Sequence, residues 1–324
     1  MEKDIDIVVT GYPSIDSIIK LDEEPRVGKT SIITNDNFDE KFFGGCSVNI
    51  AYLLAKLGRK VTPLFKVGHD FETSGFKHFL EEANLDLSGI SVDSSLRTSA
   101  TQILTDANGD HVTLFHPGAM QQVEFNRTDQ QFIRRTKLGI ITVGDPSFNE
   151  QFLNHCEQLN VPVVVGLKGD LNAFPSSLLR KMIFKSTILF MNEFEKDIID
   201  SLLDSDCIPT LFNEGRVKTI VITRGSSGSS VYRKDKHNIE QINIPTAKPE
   251  KIADTTGVGD AYIAGFLHGY MSEFPIEKCG KLASVLASYI VESNGCLTNI
   301  PTESQLIERY NQNFEEDNSC LHYI

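Results

Sequence analysis

Apolar residues along this chain fall into short uninterrupted runs separated by amphipathic stretches. Ile5–Thr10, Val61–Val67, Leu138–Val143, Val161–Val165, Thr187–Met191 and Thr219–Thr223 have the form of strands buried on both faces. Between them the period changes to that of a helix. Cys46–Leu57 closes at Gly58, Phe71–Asn84 follows the second strand, and Val258–Met271, Ile276–Glu292 and Thr302–Asn313 complete the C-terminal part. Strands that alternate with helices need crossover connections. The pattern therefore predicts an α/β protein, a mostly parallel sheet with helices on both faces.

Two regions break the rhythm. Ala100–Thr105 and His111–Phe115 flank Asp106-Ala-Asn-Gly-Asp110, and Asn-Gly is a hairpin signal. Residues 29–43 alternate loosely and end in Phe42-Phe43-Gly44-Gly45. Together they predict a small antiparallel sheet, drawn from about residues 12–43 and 99–118, within one domain spanning 1–324. Asp16 falls in a loop-like segment, Ser229–Ile244 reads as a second hairpin turning near Lys234-Asp235-Lys236, and the residues from Glu315 read as a weakly held tail.

Open α/β sheets bind ligands at the carboxyl ends of their strands. Asp145, Asn192, Gly225 and the 254–260 segment all follow predicted strands, so the topology brings them to one crevice. In Asp254-Thr-Thr-Gly-Val-Gly-Asp260 two glycines stand before a helix, where successive N–H groups and the helix dipole favour an anion. Asp260 lies at the rim, where it can take a proton from an attacking hydroxyl; an ordinary turn with a helix cap has the same local form. Gly44-Gly45-Cys-Ser-Val-Asn49 precedes another helix and offers either close backbone approach with an amide for hydroxyls, or a tight turn. Asn192-Glu-Phe-Glu195 suits magnesium through oxygen ligands, or a helix cap, or both. Thr223-Arg-Gly225-Ser-Ser-Gly228 can sit against nucleotide phosphates or join two strands.

Composition narrows the classes. With 40% hydrophobic and 23% charged residues the 324-residue chain is of the soluble globular type, and its net charge of −13 argues against a nucleic-acid surface. No stretch has the length of a membrane helix, and the charged N-terminus has no leader pattern. Cysteines at 46, 156, 207, 279, 296 and 320 lack metal or redox spacing, which implies reduced thiols and a cytoplasmic protein. Gly28-Lys29-Thr30 lacks the earlier glycine of a Walker A loop, since Glu23 stands there, and Gly257-Val-Gly259 lacks the third glycine of a dinucleotide motif. The eight histidines match no zinc spacing, and no covalent-nucleophile motif is present.

Gly-Gly-x-x-x-Asn at 44–49 together with Asp-Thr-x-Gly-x-Gly-Asp at 254–260 resembles the ribokinase, or phosphofructokinase B, family of carbohydrate kinases. Asn192-x-x-Glu195 and Thr223-x-Gly225 fit two further motifs, so the resemblance spans nearly the whole chain. Val67–Gly75, Gly144–Asn149 and Gly295–Pro301 resemble the archaeal-type nucleoside kinases within it. The resemblance implies a ribokinase-like fold and an ATP-dependent kinase for the 5′-hydroxyl of a ribonucleoside. A sugar kinase for ribose or fructose is the neighbouring alternative, and a non-catalytic nucleotide- or sugar-binding protein the third. It implies Asp260 as base, with Gly257, Val258 and Gly259 supplying N–H groups. Asp16, Gly44, Gly45 and Asn49 would bind the acceptor; Asn192, Thr223, Gly225, Gly228 and Asn294 would line the ATP site. Glu195 would organise Mg2+ through water, and Asp254 would neighbour a monovalent cation such as K+. The small sheet would cover the substrate and pair in a homodimer. Two departures stand out: Val258 replaces the common Ala, and Gly166-Leu-Lys-Gly169 replaces an Asp-Pro-Gly.

Overall fold

A computed structural model describes residues 3–108, 111–168, 174–235 and 238–314. The chain passes through β1 (Ile5–Thr10), β2 (Ser14–Lys20), β3 (Phe42–Gly44), α1 (Cys46–Lys56), β4 (Val61–Gly68), α2 (Phe76–Glu81), β5 (Ile90–Asp93), β6 (Ala100–Thr105) and β7 (His111–His116). Next come α3 (Arg127–Arg135), β8 (Thr136–Ile141), α4 (Pro146–Gln158), β9 (Val163–Gly166), α5 (Ser176–Lys185), β10 (Ile188–Asn192), α6 (Glu193–Leu203) and α7 (Cys207–Glu214). The last elements are β11 (Thr219–Thr223), β12 (Ser229–Asp235), β13 (Asn238–Ile244), α8 (Val258–Met271), α9 (Ile276–Ile290) and α10 (Glu303–Phe314).

The large sheet has the order β13-β12-β11-β10-β9-β8-β1-β4-β5 among the described residues. Its pairings from β11 to β5 are parallel, as expected, and the β12–β13 hairpin adds antiparallel at one edge. Alternate side chains enter two cores: Ile188 and Phe190 of β10 pack with α1, α8 and α9, while Leu189 and Met191 pack with α4, α5 and α7. That two-sided burial is why the strands read as continuous apolar runs.

The small sheet has the order β3-β2-β6-β7, with β2–β3 and β6–β7 antiparallel and β2–β6 parallel. Asp16 belongs to strand β2, opposite Phe42 and Thr101, and not to a loop. Residues 29–43 form less strand than their alternation suggests. Asn35 explains part of this: its side chain accepts from Lys20 N–H at 2.7 Å and donates to the Ile18 carbonyl at 3.0 Å, taking backbone partners a strand would use. The helix expected over Phe71–Asn84 shortens to α2. Asp70 accepts from Thr98 N–H at 2.8 Å and from its hydroxyl at 2.7 Å, so residues 69–75 turn toward the 98 loop before the helix starts. The hairpin tips at Gly109-Asp110 and Lys236, and the tail from Glu315, lie outside the described residues.

Candidate active site

The site is built where the N-termini of α1 and α8 meet. Gly45 caps α1 with φ 94°, a left-handed conformation that side-chain-bearing residues resist, and a Cβ there would strike the Tyr12 carbonyl. This turn carries Asn49, one helical turn later, toward α8. Its Nδ2 donates to Asp260 Oδ2 at 2.8 Å, across 211 residues of sequence.

Asp260 sits in the first turn of α8, whose cap is Gly257. Asp260 is half-buried, and burial pushes its pKa up. Asn49, the charge of Lys168 and the Cys46 thiol oppose that rise. The N–H of Val258 already donates to the Thr255 carbonyl at 3.3 Å. First-turn amides have no acceptor within a helix, and a Cβ on Gly259 would meet nothing within 4 Å. The open, positive end of α8 therefore faces free space at Gly259 and Asp260.

Asp16 reaches the same point from the small sheet. A Cβ on Gly44 would lie 3.2 Å from Asn49 Oδ1 and 3.3 Å from Asp16 Oδ2, so both oxygens flank one bare backbone position. Burial raises the pKa of Asp16, opposed by the Ser14 hydroxyl, which donates to it and lies 2.7 Å from Thr101 Oγ1. Asn49 Oδ1 is buried without a hydrogen-bond partner. Phe43, in contrast, stacks on Phe76 at 4.9 Å and belongs to the packing of the small sheet.

The second half of the crevice follows the next strands. Asn192 and Thr223 are register partners at the ends of β10 and β11. Asn192 and Glu195 form a reciprocal cap: Asn192 N–H donates to Glu195 Oε2 at 2.8 Å, and Glu195 N–H to Asn192 Oδ1 at 2.8 Å. Gly225 opens the turn into β12, and Gly228 closes it against the Ile244 carbonyl. Asp254 joins two loops, accepting from Thr256 N–H and Gly295 N–H at 2.9 Å each, and these bonds hold its pKa below the usual carboxylate value despite burial. The second bond brings exposed Asn294 beside the 254–260 loop.

Cys46 and Lys168 had no assigned role in the sequence. Cys46, three residues before Asn49 on α1, lowers the pKa of the Asp260 carboxylate, and that i, i+3 spacing was the available signal. Lys168, in the loop after β9, acts electrostatically on both Asp16 and Asp260, and only the fold could reveal that. Gly169 lies outside the described residues.

No described helix is long and apolar enough to cross a membrane. The chain is 32% identical to the nucleoside kinase of Methanocaldococcus jannaschii over 310 residues, 95% of this chain and 97% of that one. It is 30% identical to the nucleoside kinase of Methanothermobacter thermautotrophicus over 310 residues, 96% of this chain and 97% of that one. The crystal structure of the M. jannaschii nucleoside kinase, described as an archaeal member of the ribokinase family, superposes with a TM-score of 0.83 at 31% identity, covering 96% of this chain and all of the other. The family description "pfkB family carbohydrate kinase" matches residues 4–303. With that match running from β1 into α10 and through both halves of the crevice, the chain belongs to the pfkB family of carbohydrate kinases, phosphotransferases whose acceptor is a hydroxyl group.

Proposed function

We propose that the chain transfers the γ-phosphoryl group of ATP to the 5′-hydroxyl of a ribonucleoside by direct in-line displacement, with Asp260 as the base. The bond from Asn49 to Asp260 carries this reading. It joins the helix that would bind acceptor hydroxyls to the helix whose open amides would face phosphoryl oxygens, and the shared group is a carboxylate able to accept a proton. The two relatives named nucleoside kinase support a nucleoside over a sugar as acceptor.

In this scheme Asp16, Gly44, Gly45 and Asn49 hold the acceptor. Gly257 shapes the anion hole, and the amides of Gly259 and Asp260, with Val258 between cap and turn, surround the transferring group. Asn192, Thr223, Gly225, Gly228 and Asn294 line the ATP side. The carboxylate of Glu195 and the amide of Asn192 are hard oxygen donors engaged in a cap, which suits Mg2+ held through water. When bound, Mg2+ would offset charge on the phosphate oxygens. K+ would take the neighbourhood of Asp254, whose own oxygens hold the loop. Positioning and charge stabilisation account for most of the acceleration.

The test is Asp260→Asn, assayed by ADP release with inosine, guanosine, adenosine, cytidine, ribose and fructose. ATP binding is retained and turnover falls by orders of magnitude. Near-normal turnover in the variant refutes the base. For the unaltered protein, a preference for sugars replaces the acceptor, and release no higher than background leaves only a binding protein.

A further inference from the structure

The geometry points to Glu292 and Arg309 as a positioning pair for the phosphoryl-transfer loop: bonded to each other, they fix the chain segment that leads into Asp254–Asp260. The inference rests on the reading of residues 254–260 as that loop.

Residues 245–255 connect β13 to the cap of α8 without forming helix or strand. Such a segment has no ladder partner, so its backbone N–H groups need acceptors from elsewhere. Here α9 and α10 supply them. Ala247 N–H donates to Ser284 Oγ of α9 at 2.6 Å, and Lys248 N–H to Asn313 Oδ1 of α10 at 2.8 Å. Glu250 N–H donates at 2.8 Å to Oε1 of Glu292, which stands just past the end of α9. The carbonyl of Val291, the C-cap of α9, accepts from Ala253 N–H at 2.8 Å and from Asp254 N–H at 3.3 Å.

Glu292 is buried, and a buried carboxylate needs several donors. Besides the Glu250 amide it accepts from Arg309 Nη1 at 2.6 Å and Nη2 at 3.4 Å, and from Asn299 Nδ2 at 3.2 Å. The guanidinium of Arg309, itself buried, also donates to Ser288 Oγ at 3.1 Å and lies 3.5 Å from the centre of the Tyr289 ring. Edge and face of its plane are both engaged, an arrangement that a lysine ammonium does not reproduce. Asn299 belongs to the loop after α9 that also carries Gly295, whose N–H meets Asp254 Oδ2 at 2.9 Å. Two routes therefore run from the pair to Asp254, one through Glu250 and one through the Asn299–Gly295 loop. Apolar side chains of similar volume serve a core as well as a buried ion pair does, or better. What the pair adds is direction, spent on the backbone that sets where Asp260 stands.

The test is the double variant Glu292→Leu with Arg309→Met, set beside Arg309→Met alone. The single variant leaves a bare buried carboxylate and lowers the urea midpoint; the double variant removes both charges and recovers it. The Glu250 N–H still lacks its acceptor, so kcat for ADP release stays roughly 10-fold to 100-fold below the unaltered protein. KM for the nucleoside is unchanged, because the proposed acceptor residues lie on other elements. Amide hydrogen exchange over residues 247–256, a readout independent of the reaction, rises in the double variant. A role in stability alone predicts that kcat returns with the midpoint; that result, or unchanged exchange, overturns the inference. If the double variant does not fold, Arg309→Lys carries the test: it keeps the charge but loses the fork and the stack, and an unchanged kcat there overturns the inference. Asp260→Asn in the same series separates the two ideas. Retained turnover in it removes the loop as the centre of transfer, whereas lost turnover with an unchanged kcat in the double variant removes only the role of the pair.

Discussion

Replacing Gly257 with Ala perturbs the loop on which the proposed chemistry depends. Gly257 has φ 74° and ψ 1°, the left-handed region, and an L-residue there costs about 1–2 kcal/mol. The added Cβ would also overlap both Cβ and Sγ of Cys296 and stand 3.4 Å from Asn49 Nδ2. Overpacking of that kind costs typically about 1–3 kcal/mol. The sum, roughly 2–5 kcal/mol, is a large share of the ~5–15 kcal/mol of an ordinary domain, so the variant folds with a lower denaturation midpoint. The structure can relieve the overlap only by moving the 254–260 loop or the Cys296 loop. Since Asp260 lies three residues beyond Gly257, that movement displaces the base and its neighbouring amides. A shift of about 1 Å at a reacting group costs on the order of 100-fold in rate, which is the expected loss in kcat. Urea unfolding and steady-state ADP release measure the two effects separately. Cys296→Gly removes the obstructing atoms, so the double variant recovers the overpacking part of the stability loss and keeps the left-handed part. Wild-type stability and turnover in Gly257→Ala would refute the reasoning, and no recovery in the double variant would show that Cys296 is not the obstacle.

Two further predictions follow from groups outside this loop. His268 of α8 is 5% exposed and accepts from Arg59 Nε at Nδ1 (3.3 Å), and burial first, then the Arg59 charge, lower its pKa to about 4. The unfolded chain binds this proton near pH 6.5 and the folded one near 4, so about 3 kcal/mol of stability, intact above pH 6.5, is lost as pH falls to about 4. His268→Asn keeps an acceptor for Arg59 and flattens that part of the acid-unfolding curve; an unchanged slope removes His268 as its cause. The small sheet exposes Val112, Leu114 and Phe115 on β7, which supports a homodimer formed through this sheet. Light scattering should give twice the chain mass, reduced to one chain by Leu114→Lys, and a monomeric unaltered protein rejects the pairing.

The central sheet was legible because β1, β8, β10 and β11 are buried on both faces, and such strands must be apolar without interruption. Helix α8 was legible in its extent, since Gly257 and the polar Ser272 bound a stretch that is apolar apart from Asp260 and His268. The small sheet was less so. It is partly exposed and its β2–β6 pairing joins segments about 85 residues apart, so neither burial nor a turn marks Asp16 as a strand residue. Asn35 and Asp70 altered neighbouring segments through side-chain bonds that periodicity does not encode.

At the site the division is similar. The residue types and order of Gly44, Gly45, Asn49, Asn192, Glu195, Thr223 and the 254–260 motif were all present in the chain as written, because each answers to a local backbone demand at a helix start or strand end. Tertiary structure alone decided which atoms meet. It spent Asn49 Nδ2 on Asp260 and left Oδ1 unpaired, and it used Asp254 to tie the Gly295 loop to its own. It also brought Cys46 and Lys168 to bear on the carboxylate. The physical reason is that a hydrogen bond depends on position and direction within tenths of an ångström, and across 211 residues only the packed sheet and helices supply that precision.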